Sequence, residues 1–253
     1  MSVSGNFTTR LLEIAFVVFV SCALPVRAND WGSLSGSVAL TSDYRFRGVS
    51  QSNLRPAPQG EMDWNVPDDW TFSAWASRID FQDHQNTSIE LDMTADKHWK
   101  LDDTDFHVEA VYHAYPDHHP VRGGVRYSAV EAIVIASHSW DSLSLNGTLA
   151  WSPDNVAETG TAWLVAGGVS YPASDWLSMS ANFGRQSMHR WDEVKGAGYP
   201  YLYWDVGVTA EFNVYSIDLR YVGTNLKGAQ CLMSFGGRHW CQSGIVASMS
   251  RSL

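Results

Sequence analysis

Past about residue 29 the chain alternates. Apolar and polar positions exchange every second residue in short runs. That is the period of a β-strand, whose successive side chains point to opposite faces. Twelve runs can be marked: SLSGSVALTSDYRF (33–46), APQGEMDWNV (57–66), WTFSAWASRID (70–80), SIELDMTAD (88–96), TDFHVEAVYHAY (104–115), SAVEAIVIAS (128–137), SLSLNGTLAW (142–151), AWLVAGGVSY (162–171), WLSMSANFGRQ (176–186), YLYWDVGVTAEF (201–212), YSIDLRYVG (215–223) and SGIVASMSRSL (243–253). Almost none of this sequence has the 3.6-residue period of an amphipathic helix. Several runs are close to the roughly 9–11 residues that a tilted membrane-crossing strand needs. One such run is a weak signal, and the set of them is a strong one.

The connections alternate as well. Those at 47–56, 81–87, 116–127, 152–161, 187–200 and 224–242 are long. Those between are mostly tight, such as Pro67-Asp68-Asp69 and Asn213-Val214. Strands that run up and down through a bilayer have short turns on one side and long loops on the other, whereas a soluble sandwich has no reason to alternate this way. Aromatic residues sort in the same sense. Trp31, Trp70, Trp99, Trp140, Trp176, Phe212 and Tyr215 fall at the tight-turn ends; Tyr44, Phe46, Trp151, Trp163, Phe183, Trp204 and Tyr221 fall near the long loops. Two such bands predict the interfacial girdles of a membrane barrel. The expected fold is therefore all-β, an antiparallel up-and-down transmembrane barrel of about 12 strands.

The period then assigns faces. In the first run Val38, Leu40, Tyr44 and Phe46 share one face, expected to meet lipid. Ser37, Thr41, Asp43, Arg45 and Arg47 share the other, expected to meet the lumen near the long-loop mouth. The same logic turns Glu61, Asp63, Glu90, Asp92, Asp205, Thr209, Glu211, Asp218 and Arg220 inward, against Met62, Trp64, Leu91, Met93, Trp204, Val206, Leu219 and Tyr221 outward. The last run ends Met249-Ser250-Arg251-Ser252-Leu253. An amphipathic final strand with an apolar last residue is similar to the sorting signal of outer-membrane barrels, and the outer-membrane assembly machinery is its expected partner.

The first 28 residues differ. Arg10 precedes an apolar run, Leu11–Val26, and Val26-Arg27-Ala28 fits a secretory cleavage site. Residues 1–28 are thus expected to be a signal peptide and 29–253 the barrel. Without the leader's Arg10, Arg27 and Glu13, the 17 basic and 27 acidic side chains become 15 and 26, a net charge of −11. Such a chain is a poor candidate for nucleic acid or for anionic lipid headgroups. Two cysteines remain, Cys231 and Cys241, on either side of the turn signal Phe235-Gly236-Gly237-Arg238. A hairpin there would set them opposite each other, and export permits the predicted disulfide.

The stretch Ser42-Asp43-Tyr44-Arg45-Phe46-Arg47-Gly48-Val49-Ser50-Gln51-Ser52 resembles the N-terminal signature of the TorF family of bacterial outer-membrane porins. Ala76-Ser77 with Ile79-Asp80-Phe81, Ile89-Glu90-Leu91-Asp92, Tyr112 with Tyr115-Pro116, Glu131, the late cysteine pair and the serine-rich last run are similar too. The sequence departs from that pattern at Leu253 and at His113-Ala114. The resemblance implies a porin barrel in the outer membrane and no defined solute.

Nothing in the sequence points to catalysis. Ser and His are abundant, but no nucleophile motif surrounds them. Asp117-His118-His119 is the best metal-like cluster; it falls in a loop and is expected to be a solvated polar segment. No cofactor and no metal is expected. Two functions fit: a passive channel for ions or small hydrophilic solutes through a net-acidic lumen, or a structural or adhesive surface barrel with a plugged lumen. The pattern is compatible with loop 224–242 either covering the mouth or standing clear of it.

Overall fold

The structure, a computed structural model, describes residues 31–83, 87–120, 125–188, 191–192 and 196–253. The predicted leader, 1–28, lies outside the described residues, as does part of loop 187–200.

Twelve antiparallel strands close into a barrel. In chain order the wall is β1 (Ser33–Thr41), β4 (Ala57–Val66), β5 (Trp70–Arg78), β6 (Ile89–Leu101), β7 (Thr104–Ala114), β8 (Ala129–Trp140), β9 (Leu143–Ser152), β10 (Ala162–Ser174), β11 (Leu177–Met188), β14 (Tyr201–Phe212), β15 (Tyr215–Thr224) and β16 (Gly244–Ser252). Four two-residue strands lie outside the wall: β2 (Arg45–Phe46) pairs with β3 (Val49–Ser50), and β12 (Trp191–Asp192) with β13 (Gly196–Ala197). Every wall strand pairs with its neighbour in sequence. The ring closes where β1 meets β16, from Ser37 opposite Ser252 to Thr41 opposite Ser248. Closure removes the free edges that would otherwise recruit other strands.

The tight turns follow from residue choice. Asp68, Asp69, Asp102, Asp141 and Asn213 all have positive φ, between 49° and 60°. Short hairpin turns need left-handed residues, and Asp and Asn tolerate that conformation because their side chains bond the local backbone. The long connections all lie at the opposite end.

The outward face is apolar. Met62, Val165 and Ile245 are each more than 60% exposed. Trp70, Trp99, Trp140, Trp176, Phe212 and Tyr215 stand exposed at the short-turn end, and Trp151, Trp163, Phe183 and Tyr221 towards the other. A contiguous apolar belt of this kind is unfavourable in water. Among the described residues no helix is long and apolar enough to cross a membrane; the strands carry the hydrophobic surface instead.

β1 is shorter than its sequence pattern suggests. It leaves the wall after Thr41, not at Phe46. Ser42 marks the exit: its N–H donates to the Ala247 carbonyl and its hydroxyl accepts from the Ala247 N–H. The chain then turns into the barrel and rejoins the wall at Ala57.

Candidate lumenal site

The segment between β1 and β4 folds into the long-loop half of the interior as a small hairpin. Its turn is Arg47-Gly48, with φ of 49° and 83°, the two consecutive left-handed residues of a type I′ turn. Gly48 is required for a second reason. A Cβ there would sit 2.9 Å from the Gly223 carbonyl oxygen and 3.0 Å from the Tyr203 Cβ, so the tip lies hard against β14 and β15. Asp43 holds the base of the hairpin. Its carboxylate accepts from Arg45 Nε at 2.7 Å, from the Ser50 hydroxyl at 2.5 Å and from the Ser52 hydroxyl at 3.1 Å. Arg45 also donates to the carbonyls of Gly48 and Gln242.

This corrects the first-strand face assignment. Tyr44 and Phe46 do not stand on the outward face. Tyr44 is 8% exposed and packs edge-on against Trp75, with ring centroids 5.2 Å apart. Phe46 meets the His113 ring at 6.0 Å. Leaving the wall frees the alternation from lipid, so both faces of the segment are buried inside the barrel.

Arg47 spans from the hairpin tip to the far wall. It donates to Glu131 Oε2 on β8 at 2.6 Å and to Gln186 Oε1 on β11 at 2.9 Å. Glu131 is 3% exposed. A guanidinium this enclosed needs its carboxylate, because either charge alone would be desolvated without compensation. Beside the pair, His113 Nδ1 lies 2.9 Å from Asp92 Oδ1, and its Nε2 lies 3.9 Å from Glu131. Glu90 accepts the Tyr115 hydroxyl at 2.7 Å. Asp92 and His113 come together because they are direct partners across β6 and β7.

A second group lies on the adjoining wall. Arg220 pairs with Asp205 and with Asp218, the latter at 3.1 Å, and donates to the Ser180 hydroxyl at 3.0 Å. Asp218 also accepts from Thr209, and Asp205 from Asn182. From mid-barrel to the short-turn end the inward face is more open. Glu61 and Glu211 are exposed there, and Asp63 accepts the Ser73 hydroxyl at 2.7 Å. The strand pairing brings Asp96, His107 and Glu109 to the same face, with His107 Nδ1 3.0 Å from Asp96.

Gln186, Asp96, His107 and Glu109 were not singled out by sequence, and Glu131, His113 and Tyr115 entered only through the family resemblance, with no inward role given to them. The signal was present for most. His107, Glu109 and His113 share one parity of a single alternating run, and Glu131 is the lone charge in AVEAIVIAS.

Two cavities occupy the long-loop half. The larger, about 430 Å³, lies between the hairpin and the loops and is lined by Phe46, Glu90, His113, Tyr127 and Trp240. The smaller, about 330 Å³, lies against Asp43, Arg45, Trp75, Asp205 and Arg220. Arg47 lines both, and so stands at the boundary between them.

The loops close over the larger cavity. Connection 225–243 carries a helix, α1 (Gly228–Phe235), ended by Gly236 at φ 85°. Cys231 in α1 is bonded to Cys241, with Cα atoms 5.9 Å apart. The predicted disulfide is therefore present, but it ties a helix to a turn and not the two arms of a hairpin. Trp240 beside it donates to the Asn53 side chain at 3.0 Å, and its carbonyl accepts from Ser50 N–H at 2.9 Å. The loop thus rests on the lumenal hairpin. The Asp117-His118-His119 stretch is not a free polar loop either. His118 stacks on Tyr127 at 3.8 Å and bonds the Thr87 hydroxyl and the Val125 carbonyl, while Asp117 accepts from both the N–H and hydroxyl of Ser88. Burial, with Asp83 alongside, pushes the Tyr127 hydroxyl up to about 12.

A closed antiparallel barrel with an apolar exterior, a charged interior and long loops at one end defines the class: a porin-like barrel of the outer-membrane type. Solved structures agree on the fold. The chain is similar to the KdgM porin in complex with disordered oligogalacturonate (7% identity, TM-score 0.54, covering 87% of this chain and 98% of that one). It is similar to the NanC porin (9%, 0.54, 86% and 98%), and to the COG4313 outer membrane channel from Pseudomonas putida F1 (10%, 0.51, 91% and 96%). The chain belongs to the Gcw_chp family, described as a bacterial protein of unknown function, whose model matches residues 28–253. No curated protein matches it.

Proposed function

We propose that the protein is an integral outer-membrane porin of the TorF type, a passive channel for ions or small hydrophilic solutes that favours cations. The carrying observation is the inward face from mid-barrel to the short-turn end, where Glu61, Asp63, Asp96, Glu109 and Glu211 stand against Lys100. Carboxylates in excess along a water-filled path lower the barrier for cations and raise it for anions. The apolar belt supports bilayer residence, and the motif at 42–52 supports the TorF assignment. The oligogalacturonate held in complex by the KdgM porin is not carried over to this chain, since a polyanion would meet this acidic lining. An enzyme reading has no support from the sequence, where no nucleophile motif surrounds the Ser and His side chains.

A second reading keeps the barrel and closes the lumen. The observation favouring it is the hairpin with Arg47 reaching β8 and β11. Purified protein in planar bilayers separates the two. Stepwise conductance with a reversal potential on the cation side in a salt gradient supports the channel; a silent bilayer with correctly folded, heat-modifiable protein supports the plugged barrel. Recovery of the mature protein in the soluble periplasmic fraction would contradict both.

A further inference from the structure

We infer that Glu90, Asp92 and His113 form a binding site for a divalent first-row transition cation, opening on the larger cavity. The three side chains each offer a ligand atom, and these atoms lie within 4.8 Å of one another. Glu90 and Asp92 are two apart on β6 and so share its inward face. His113 faces Asp92 across the β6–β7 ladder. The site is therefore built on two paired strands of the wall and not on a loop, which fixes its ligands in place.

The carboxylate of Glu90 is the independent observation. Glu90 is 5% exposed; its Oε1 accepts Tyr115, and its Oε2 is buried and accepts no hydrogen bond. A buried carboxylate oxygen without a partner is costly, and its presence calls for a cation or a proton. The local charge points the same way. Three carboxylates, Glu90, Asp92 and Glu131, crowd this part of the wall. Arg47 answers Glu131, and His113 lies against Asp92. Glu90 has only neutral hydroxyls to answer it, those of Tyr115 and Tyr44, and no positive side chain of its own. A cation held by all three residues would satisfy Glu90 Oε2 and take the place of the His113–Asp92 hydrogen bond.

The donor set selects the ion. One imidazole with two carboxylates suits zinc, manganese or cobalt better than calcium or magnesium, which prefer all-oxygen shells. Binding needs a neutral imidazole, so protons compete with the ion for this ligand. Glu90 and His113 line the larger cavity, which gives an entry path, and Phe46 covers the imidazole on the hairpin side. The second group of this kind, Asp96, His107 and Glu109, is only half-buried, and serves as the control. Binding does not require the lumen to conduct.

The test uses the tag-free barrel refolded in detergent and a chromophoric chelator competing for Zn²⁺. One Zn²⁺ per chain is expected. Glu90→Gln and His113→Ala should each weaken it by about tenfold or more, since even indirect supporting residues of metal sites have effects of that size; His107→Ala should leave it unchanged. Because His113→Ala could disturb folding, heat-modifiable migration checks each variant. Co²⁺ added to the unaltered protein gives a second readout, a visible absorption band stronger than that of free Co²⁺. No saturable Zn²⁺ binding and no Co²⁺ band would mean that Glu90 carries a proton instead, and would overturn the site. Binding lost in His107→Ala and kept in Glu90→Gln would overturn it too, by moving the ion to the other group.

Discussion

At the long-loop end of the barrel interior, Asp43 and Glu131 are almost sealed from solvent, and each holds a guanidinium. Further along the wall, Glu61 and Glu211 stand exposed on the same inward face, with no element crossing between them among the described residues. Both regions come from one alternation of polar and apolar residues. The difference is what enters the lumen. Where a hairpin crosses, charges are desolvated and must be paired and packed; where nothing crosses, they stand open to the lumen, and in the proposed channel they are the ones left to act on a solute. Stability is therefore expected to reside in the charges of the first region, and selectivity in those of the second.

Removing a charge partner in the packed region has the largest expected effect. Glu131→Ala leaves Arg47 enclosed without its carboxylate, a change that costs about 3–5 kcal/mol in a buried pair. The adjoining cavity admits water and holds the cost near the lower figure. Glu131→Gln, which keeps an acceptor for Arg47, should lose less. Denaturant unfolding in detergent measures both. Equal stability of Glu131→Ala and the unaltered protein would break the contrast between the two regions.

Tyr44→Ala comes next, at about 3 kcal/mol, the lower end for emptying a buried aromatic site. Leu40→Ala, only four residues earlier but on the outward face, should cost much less, because Leu40 is 56% exposed on the barrel exterior. A reversed order would return Tyr44 to the outward face. Opening the Cys231–Cys241 bond in a double serine variant should loosen α1 and the loop around it by about 2–3 kcal/mol, the loop-closure value for a segment of this length. The barrel strands should keep their protection in hydrogen exchange while the amides of 228–242 lose theirs. Smallest in stability but visible in function is Glu61→Gln with Glu109→Gln. These should leave unfolding unchanged and lower cation preference in bilayers; unchanged selectivity would detach the acidic lining from permeation.

The barrel wall was legible in the sequence, and its contents were not. β4 (57–66) and β14 (201–212) have the bounds that alternation marks, because a strand with one apolar and one polar face leaves the period as a direct trace. The short turns were legible for a similar reason, since Asp and Asn at left-handed positions are local chemistry. The opening strand misled. An alternating Asp43-Tyr44-Arg45-Phe46-Arg47 reads the same in a wall or in a hairpin inside it. What decides is long-range: the Ser42 contact with Ala247, and the fit of Gly48 against Gly223 and Tyr203. The Glu90–Asp92–His113 group was hidden by register. Its carboxylates are legible from β6 alone, but their histidine lies on β7 and is joined to them only by pairing. The helix that carries Cys231 was masked by its Gly236-Gly237 neighbours, which suggest a hairpin and in fact follow a helix end.

The central claim is that the hairpin between β1 and β4 restricts the lumen at its long-loop end. It is tested most directly by single-channel conductance of the protein and of a variant in which residues 43–55 are replaced by a short glycine-serine linker. Both should be reconstituted in the same planar bilayers and checked for heat-modifiable folding. The account predicts a conductance several-fold higher in the variant, with cation preference retained from the short-turn half. Equal conductance in the two would contradict it, and would place the narrowest part of the path elsewhere in the barrel.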